Sequence, residues 1–350
     1  MPDYKQCTNS YGFTHPRRLM VPCPMNRTQH FKDGSKSRSE ARSGTHLNSR
    51  SDSGLAWQSK VILLLFLPVL AAHLVILTGS LLDEGGFYTA KSLAPLALAV
   101  TAGLAVALGL LVWATRAATP GGALAGAITV ATFALATPGW HSALWPLAAL
   151  MLLTLAGTRL GGRTKEHFGL AEDHRGRTAA QVMANLGVAA CAAMLLTLSP
   201  EQGRILGSAH LFGHSRLLRL ALVAALAEAA ADTLSSELGQ VLGGEPRLLT
   251  SFARVPRGTD GAITVAGTLC GWAAAAIVVI VASLALGPGR NRGLDSELRE
   301  AALLWIAAIL GALFDSLLGA VCERRRWLNN DAVNMFSTLF AVLLAVVMLG

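Results

Sequence analysis

Glu228, Asp232 and Glu237 lie within one apolar run of this 350-residue chain, ALVAALAEAAADTLSSELGQVLGG. A carboxylate at the middle of a hydrocarbon layer costs at least about 2.5 to 3.5 kcal/mol on insertion scales, so such groups are retained for what they bind or move. Glu228 and Asp232 share a helix face that continues through Ser235, Ser236 and Gly239, whereas Glu237 points elsewhere, near the helix end. A second apolar run, GALFDSLLGA, puts Asp315 on one face between Gly311 and Gly319. A third opens with Arg177, Gln181 and Asn185 on one stripe, and a fourth with Asn329, Asn330, Asp331 and Asn334, followed by Ser337 and Thr338. Carboxylates hold Mg²⁺, and Arg grips phosphate oxygens through paired N–H groups. Those are the requirements of phosphoryl or nucleotidyl transfer to a membrane lipid. The same carboxylates suit a proton or cation relay in a transporter or lipid flippase, and Asn185 and Asn334 also suit hydrogen bonds between helices of a membrane scaffold.

The elements that must position these groups are helices in a bilayer. The chain is 53% hydrophobic and 14% charged, with a mean hydropathy of +0.49, a balance that a soluble domain could not cover with polar surface. Apolar runs near 61–82, 92–115, 121–137, 142–157, 178–198, 217–241, 263–286, 301–321 and 331–349 predict an all-α, polytopic transmembrane bundle. The third and fourth runs are short and broken at Pro138-Gly139, which leaves eight spans, nine spans or a re-entrant pair open. Residues 1–56 read as a disordered, basic cytosolic tail and 57–350 as the helical domain, with no cleavable signal. Gly122 with Gly126, and Gly267 with Gly271, have the spacing that lets helix backbones approach closely. The cysteines Cys7, Cys23, Cys191, Cys270 and Cys322 show no metal-ligand spacing.

Orientation follows from where Lys and Arg fall between the spans. With the tail in the cytosol, the inner loops hold Arg116; Arg159, Arg163, Lys165, Arg175 and Arg177; Arg247, Arg254 and Arg257; and Arg324, Arg325 and Arg326. The outer loops hold the smaller set Lys91, Arg204, Arg216, Arg290, Arg292 and Arg299, so the N-terminus is expected inside and the C-terminus outside, in a bacterial plasma membrane. All four polar stripes then occupy the cytosolic half, beneath two Gly/Arg loops, the second of which supplies Arg257 and Asp260. No GxxxxGK[ST] loop, kinase signature or HExxH occurs, which sets soluble-enzyme routes aside, and nucleic acid is not an expected partner.

The ordered segments Gly176-Arg-Thr-Ala-Ala-Gln-Val-Met-Ala-Asn185, Ala231-Asp-Thr-Leu-Ser-Ser-Glu-Leu-Gly239, Val255-Pro-Arg-Gly-Thr-Asp-Gly261, Asp315-Ser-Leu-Leu-Gly319 and Asn329-Asn-Asp-Ala-Val-Asn334 resemble an integral membrane family. That family contains plant and cyanobacterial phytyl-phosphate kinases and the animal transmembrane protein 19. The resemblance covers roughly residues 87 to 350. It implies phosphoryl transfer from a nucleoside triphosphate to an isoprenoid (phytyl-like) monophosphate, with Mg²⁺. It further implies that Asp232, Ser236, Glu237, Asp315, Asn330, Asp331 and Asn334 surround the metal-nucleotide and lipid phosphate, with Asp232 or Asp315 as metal ligand. Arg177, Gln181, Asn185, Arg257 and Asp260 would line the approach. Leu186 stands where the family pattern would place a small residue, with Gly187 next.

Overall fold

The computed structural model of the protein describes residues 54–82, 94–160, 176–198, 215–286 and 293–350. Among them run nine helices: α1 (Ala56–Leu82), α2 (Ala94–Ala114), α3 (Pro120–Ala136), α4 (Leu144–Arg159), α5 (Ala179–Thr197), α6 (Ser215–Val241), α7 (Val265–Leu286), α8 (Leu294–Leu318) and α9 (Asn330–Leu349). A π-helical turn, Gly319–Glu323, extends α8, and the two-residue strands β1 (Arg247–Leu248) and β2 (Ala262–Ile263) pair antiparallel between α6 and α7, with Arg247 opposite Ile263. The N-terminal tail, and Arg163, Lys165 and Arg175 of the first Gly/Arg loop, lie outside the described residues, as do Lys91, Arg204, Arg290 and Arg292.

Six of the helices are long and apolar enough to cross a membrane. α3 and α4, of 17 and 16 residues, are shorter. Contacts at their ends nevertheless show that the pair runs from one end of the bundle to the other and back. α3 starts beside the first residues of α5, where Thr119 N–H donates to the Arg177 carbonyl at 3.0 Å. The turn that follows α3 reaches the far end, where His141 Nδ1 lies 2.9 Å from the carbonyl of Ala285 in the last turn of α7. α4 then returns, and its Gly157 lies against Leu234 and Glu237 near the end of α6. The helices thus alternate in direction from α1 to α9. Every described arginine expected in an inner loop belongs to one end of the bundle, and Arg216 and Arg299 belong to the other.

α6 is the axle. From Leu220 to Ala231 every residue is buried, with α4, α5, α7, α8 and α9 packed around it. Its run of alanines keeps the cylinder narrow enough for so many neighbours. Gly267 and Gly271 of α7 meet it in the expected way, since a Cβ at either would strike the backbone of α6, at Ser235 or Ala231. Gly122 differs from the expected helix–helix contact, because it faces the Arg177 carbonyl at the head of α5, and Gly126 has open space. At the far end Arg216 of α6 pairs with Glu300 of α8 at 2.6 Å and donates to the Leu349 carbonyl of α9 at 2.9 Å.

Glu228, midway along α6, is 1% exposed and accepts a hydrogen bond from Thr338 of α9 at 2.6 Å. Gly311 of α8 makes the slot for its side chain. A Cβ at Gly311 would come within 2.6 Å of Glu228 Cγ and 2.7 Å of Ala341 Cβ. Gly311→Ala is therefore expected to destabilise the bundle by about 1 to 3 kcal/mol, the usual cost of overpacking, read as a fall in melting temperature in detergent.

Candidate functional site

Where α5 and α9 begin and α6 and α8 end, the side chains enclose a polar cavity of about 290 Å³. Asp232, Glu237, Asp315, Arg177, Gln181, Asn185, Ser236, Arg257, Asp260, Asn330 and Asn334 all line it. Asp331 does not. It stands one step around α9 from Asn330, and its Oδ2 accepts from Ser59 of α1 at 2.6 Å.

Asp232 of α6 and Asp315 of α8 face each other across the cavity floor, close enough to share a hydrogen bond, and the Arg177 guanidinium lies within electrostatic reach of Asp232. Asp315 Oδ2 accepts from Ser337 Oγ of α9 at 3.2 Å. The Asn334 amide sits between Asn185 and Asp315. Turned so that nitrogen faces α8, it donates to Asp315 Oδ2 at 3.3 Å and to the Asn330 carbonyl at 3.2 Å. The opposite orientation gives one contact with Asn185 Oδ1, at 3.4 Å, so the first satisfies more of the amide. Asn334 thus joins α9 to α8 while it lines the pocket, whereas the Asn185 amide donates within its own helix, to the Gln181 carbonyl at 2.9 Å.

Arg177 is presented by a fitted piece of backbone. Its N–H donates to the Ala117 carbonyl and its carbonyl accepts from Thr119 N–H, both at 3.0 Å. Gly176, at φ +74°, passes so near Ala117 and Ala118 that a side chain there would strike their backbone. Gln181 closes a capping box at the start of α5. Its Oε1 accepts from Thr178 N–H at 2.8 Å while Thr178 Oγ1 accepts from Gln181 N–H at 3.3 Å. That use of Oε1 leaves its amide nitrogen as the end of the side chain not used by the cap. Gly187, beside Leu186, is the seat of the Phe66 ring of α1, which a Cβ would meet at 2.7 Å.

The roof is the segment between α6 and α7. Arg257 donates to the Gln240 carbonyl at the end of α6 at 3.1 Å, which holds its guanidinium over the opening. The turn Gly258-Thr-Asp-Gly261 is fastened to α8 by glycine against glycine. Gly261, at φ +69°, lies on Ser316 and Ala320, and a Cβ on Gly319 would come within 2.8 Å of Gly261 N. Gln240, Thr264, Thr268, Ser316 and Glu323 also line the cavity without having been singled out. Gln240 lies one turn beyond Ser236, which periodicity could have shown. Glu323 is carried inward by the π-helical turn, which breaks the period that sequence spacing assumes.

Among the described residues no cluster of three or more His, Cys, Asp or Glu side chains forms a ready metal cage. Two facing carboxylates with neighbouring amide and hydroxyl oxygens still fit Mg²⁺, which commonly takes one or two carboxylates and fills its remaining positions with water and substrate phosphate.

A family model described as integral membrane protein DUF92 matches residues 103–342. The chain is 30% identical over 225 residues to the chloroplastic protein VTE6 of Arabidopsis thaliana, a match covering 62% of this chain and 63% of the relative. It is 36% identical over 136 residues to an uncharacterized membrane protein of Methanocaldococcus jannaschii, covering 39% of this chain and 53% of that one. A membrane protein of Synechocystis, also uncharacterized, is 30% identical over 210 residues, or 59% of this chain and 74% of its own. The match thus spans less than two thirds of the first two relatives' length. No solved structure matches the chain.

Proposed function

The chain belongs to the DUF92 family of integral membrane proteins, and on that premise we propose that it is a membrane-embedded phosphotransferase acting on an isoprenoid monophosphate at the cytosolic face. The observation that carries this reading is the placement of Arg177 and Arg257 with the Asp232–Asp315 pair in one polar cavity. The orientation with the N-terminus in the cytosol, and residence in a bacterial plasma membrane, are part of the same proposal and rest on the loop charges.

In this mechanism Arg177 and Arg257 bind the oxygens of a nucleoside triphosphate, whose γ-phosphorus–oxygen bond breaks as a new bond forms to an oxygen of the lipid monophosphate. The products are a nucleoside diphosphate and a prenyl diphosphate. The acceptor is already an anion at neutral pH, so no strong base is needed, and rate comes from alignment and charge neutralisation. Asp232 and Asp315 would hold Mg²⁺, which when bound offsets the negative charge gathered on the phosphates. Asn330 and Asn334, with Asn185 behind them, orient phosphate oxygens, and Thr259 and Asp260 close the roof. A cavity of about 290 Å³ accommodates the polar head and leaves the prenyl chain to the bilayer.

The test is transfer of γ-labelled phosphate to a series of prenyl monophosphates, up to the phytyl ester, by purified protein in nanodiscs. A nucleotide-dependent diphosphate product is expected, and none with any nucleotide or acceptor overturns the proposal. Solute or lipid flux through proteoliposomes without nucleotide would instead mark a transporter, the reading that the buried Glu228 carboxylate favours, since its Oε1 has no hydrogen-bond partner among the described residues. Arg177→Lys keeps the charge and loses the planar fork. Its KM for nucleotide is expected to rise about tenfold at an unchanged melting temperature.

A further inference from the structure

Asp331 opens α9 yet stays out of the cavity, and its partner belongs to α1, a helix that precedes the family-matched region 103–342. The contact is one strand of a network. Asn329 Nδ2 donates to Ser59 Oγ at 2.8 Å and to the Leu55 carbonyl at 3.1 Å. Gln58 Oε1 accepts from Asn329 N–H at 2.8 Å, and Gln58 Nε2 donates to the Trp327 carbonyl at 2.9 Å. Asn329 also caps α9, its Oδ1 accepting from Ala332 N–H at 2.9 Å. Gln58 is only 8% exposed, so these bonds are made away from competing solvent. Further along α1, Phe66 fills the gap over Gly187 of α5, fixing the helix lengthwise.

A helix needed only to fill a bilayer would pack by apolar contact. Here polar side chains of α1 grip the very turn that carries Asn330 and Asn334 into the cavity. The geometry points to α1 as a positioning element for the pocket. Gln58 and Ser59, acting through Asn329 and Asp331, set the rotation and depth of the first turn of α9, and so the distance of Asn334 from Asp315. Asp331 is then a positioning residue and not a pocket ligand. The inference rests on the phosphotransferase reading for its kinetic readout alone.

The experiment uses the full chain in nanodiscs with Gln58→Ala, Ser59→Ala and Ser59→Thr, following backbone hydrogen exchange and phosphoryl transfer on the same samples. The Asn329 amide bonds directly to Gln58, so its exchange is expected to quicken about tenfold in Gln58→Ala, with residues 330–334 following. Transfer by both alanine variants is expected to lose about tenfold in kcat, with KM for nucleotide held within about twofold, because the arginines are undisturbed. Ser59→Thr keeps the hydroxyl and is expected to restore both readouts. Unchanged exchange across 329–334 in both alanine variants overturns the inference. So does faster exchange with kcat unaltered, which would make the network structural only. Should wild-type protein transfer no phosphate, the phosphotransferase reading falls, and exchange across 330–334 decides the positioning role by itself.

Discussion

Replacement of Asp232 by Asn is expected to leave a folded protein whose phosphoryl transfer has fallen by about 10²- to 10³-fold. The amide has the shape of the carboxylate, and Asp232 lies near the end of a helix that five others hold in place, so geometry survives. What disappears is one of two carboxyl groups facing each other across the cavity floor, and with it an oxygen able to bind a cation. Replacing an ionisable group that is costly to hold within a membrane leaves the melting temperature level or raises it. Stability and activity should therefore part company, which a misfolding variant would not show. Asp315→Asn is expected to behave alike, and the double variant to be little worse than either single one, because two groups serving one ion fail as a unit. Full transfer by Asp232→Asn, measured beside thermal unfolding in detergent, would remove the carboxylate pair from the mechanism.

Gly261→Ala is expected to cost about 10²-fold in transfer through the roof of the pocket instead of its floor. Gly261 has φ +69°, where an alanine is strained by about 1 to 2 kcal/mol. The added Cβ would also strike the backbone of Ser316 and Ala320, which cannot rotate aside as a side chain would. The turn must lift off α8 and take Thr259, Asp260 and Arg257 from the opening. The control is Gly244→Ala, at φ +95° with nothing among the described residues within 4 Å of the new Cβ, which bears the conformational strain without the collision. It should keep transfer within about threefold of wild type. Limited proteolysis between residues 245 and 261 then reports whether the roof has opened in the one variant and stayed shut in the other. Equal activity of the two variants would show that docking of this turn is irrelevant to the site.

Helical spacing carried much of this site in legible form. Arg177, Gln181 and Asn185 recur one turn apart, Asp232 and Ser236 likewise, and alternation of the spans brings all of them to one end. Periodicity fails where the helix stops being an isolated cylinder. Glu237 is turned well away from the Glu228–Asp232 face, yet it lines the cavity, because around the last turns of α6 residues on several faces, Thr233, Ser236, Glu237 and Gln240 among them, border it. Glu228 shares a face with Asp232 but lies deeper, under α9, and takes Thr338 instead of a place in the pocket. Asp331 looked equivalent to its neighbours Asn329 and Asn330, since nothing local says that the next surface around α9 belongs to α1. Contacts such as Gly261 on Gly319 join residues 58 positions apart, and no local pattern encodes them. The bundle was legible because apolar runs of the right length admit few alternatives in a bilayer. Membership in the family rests on the match over residues 103–342.

The burial of α6 has a consequence for how the chain is made. Helices enter the membrane in order as the ribosome releases them, and α6, with Arg216, Arg219, Glu228, Asp232 and Glu237 along its 27 residues, is not among the helices apolar enough to cross unaided. The groups that receive Glu228, and the Asp315 that faces Asp232, come later: the Gly311 slot and Asp315 on α8, and Thr338 on α9. Biosynthesis must therefore shelter α6 at the translocation channel, or against α4 and α5, until the last three helices emerge. The charged residues that set the central helix apart from the other spans are the same ones that make it wait for its neighbours.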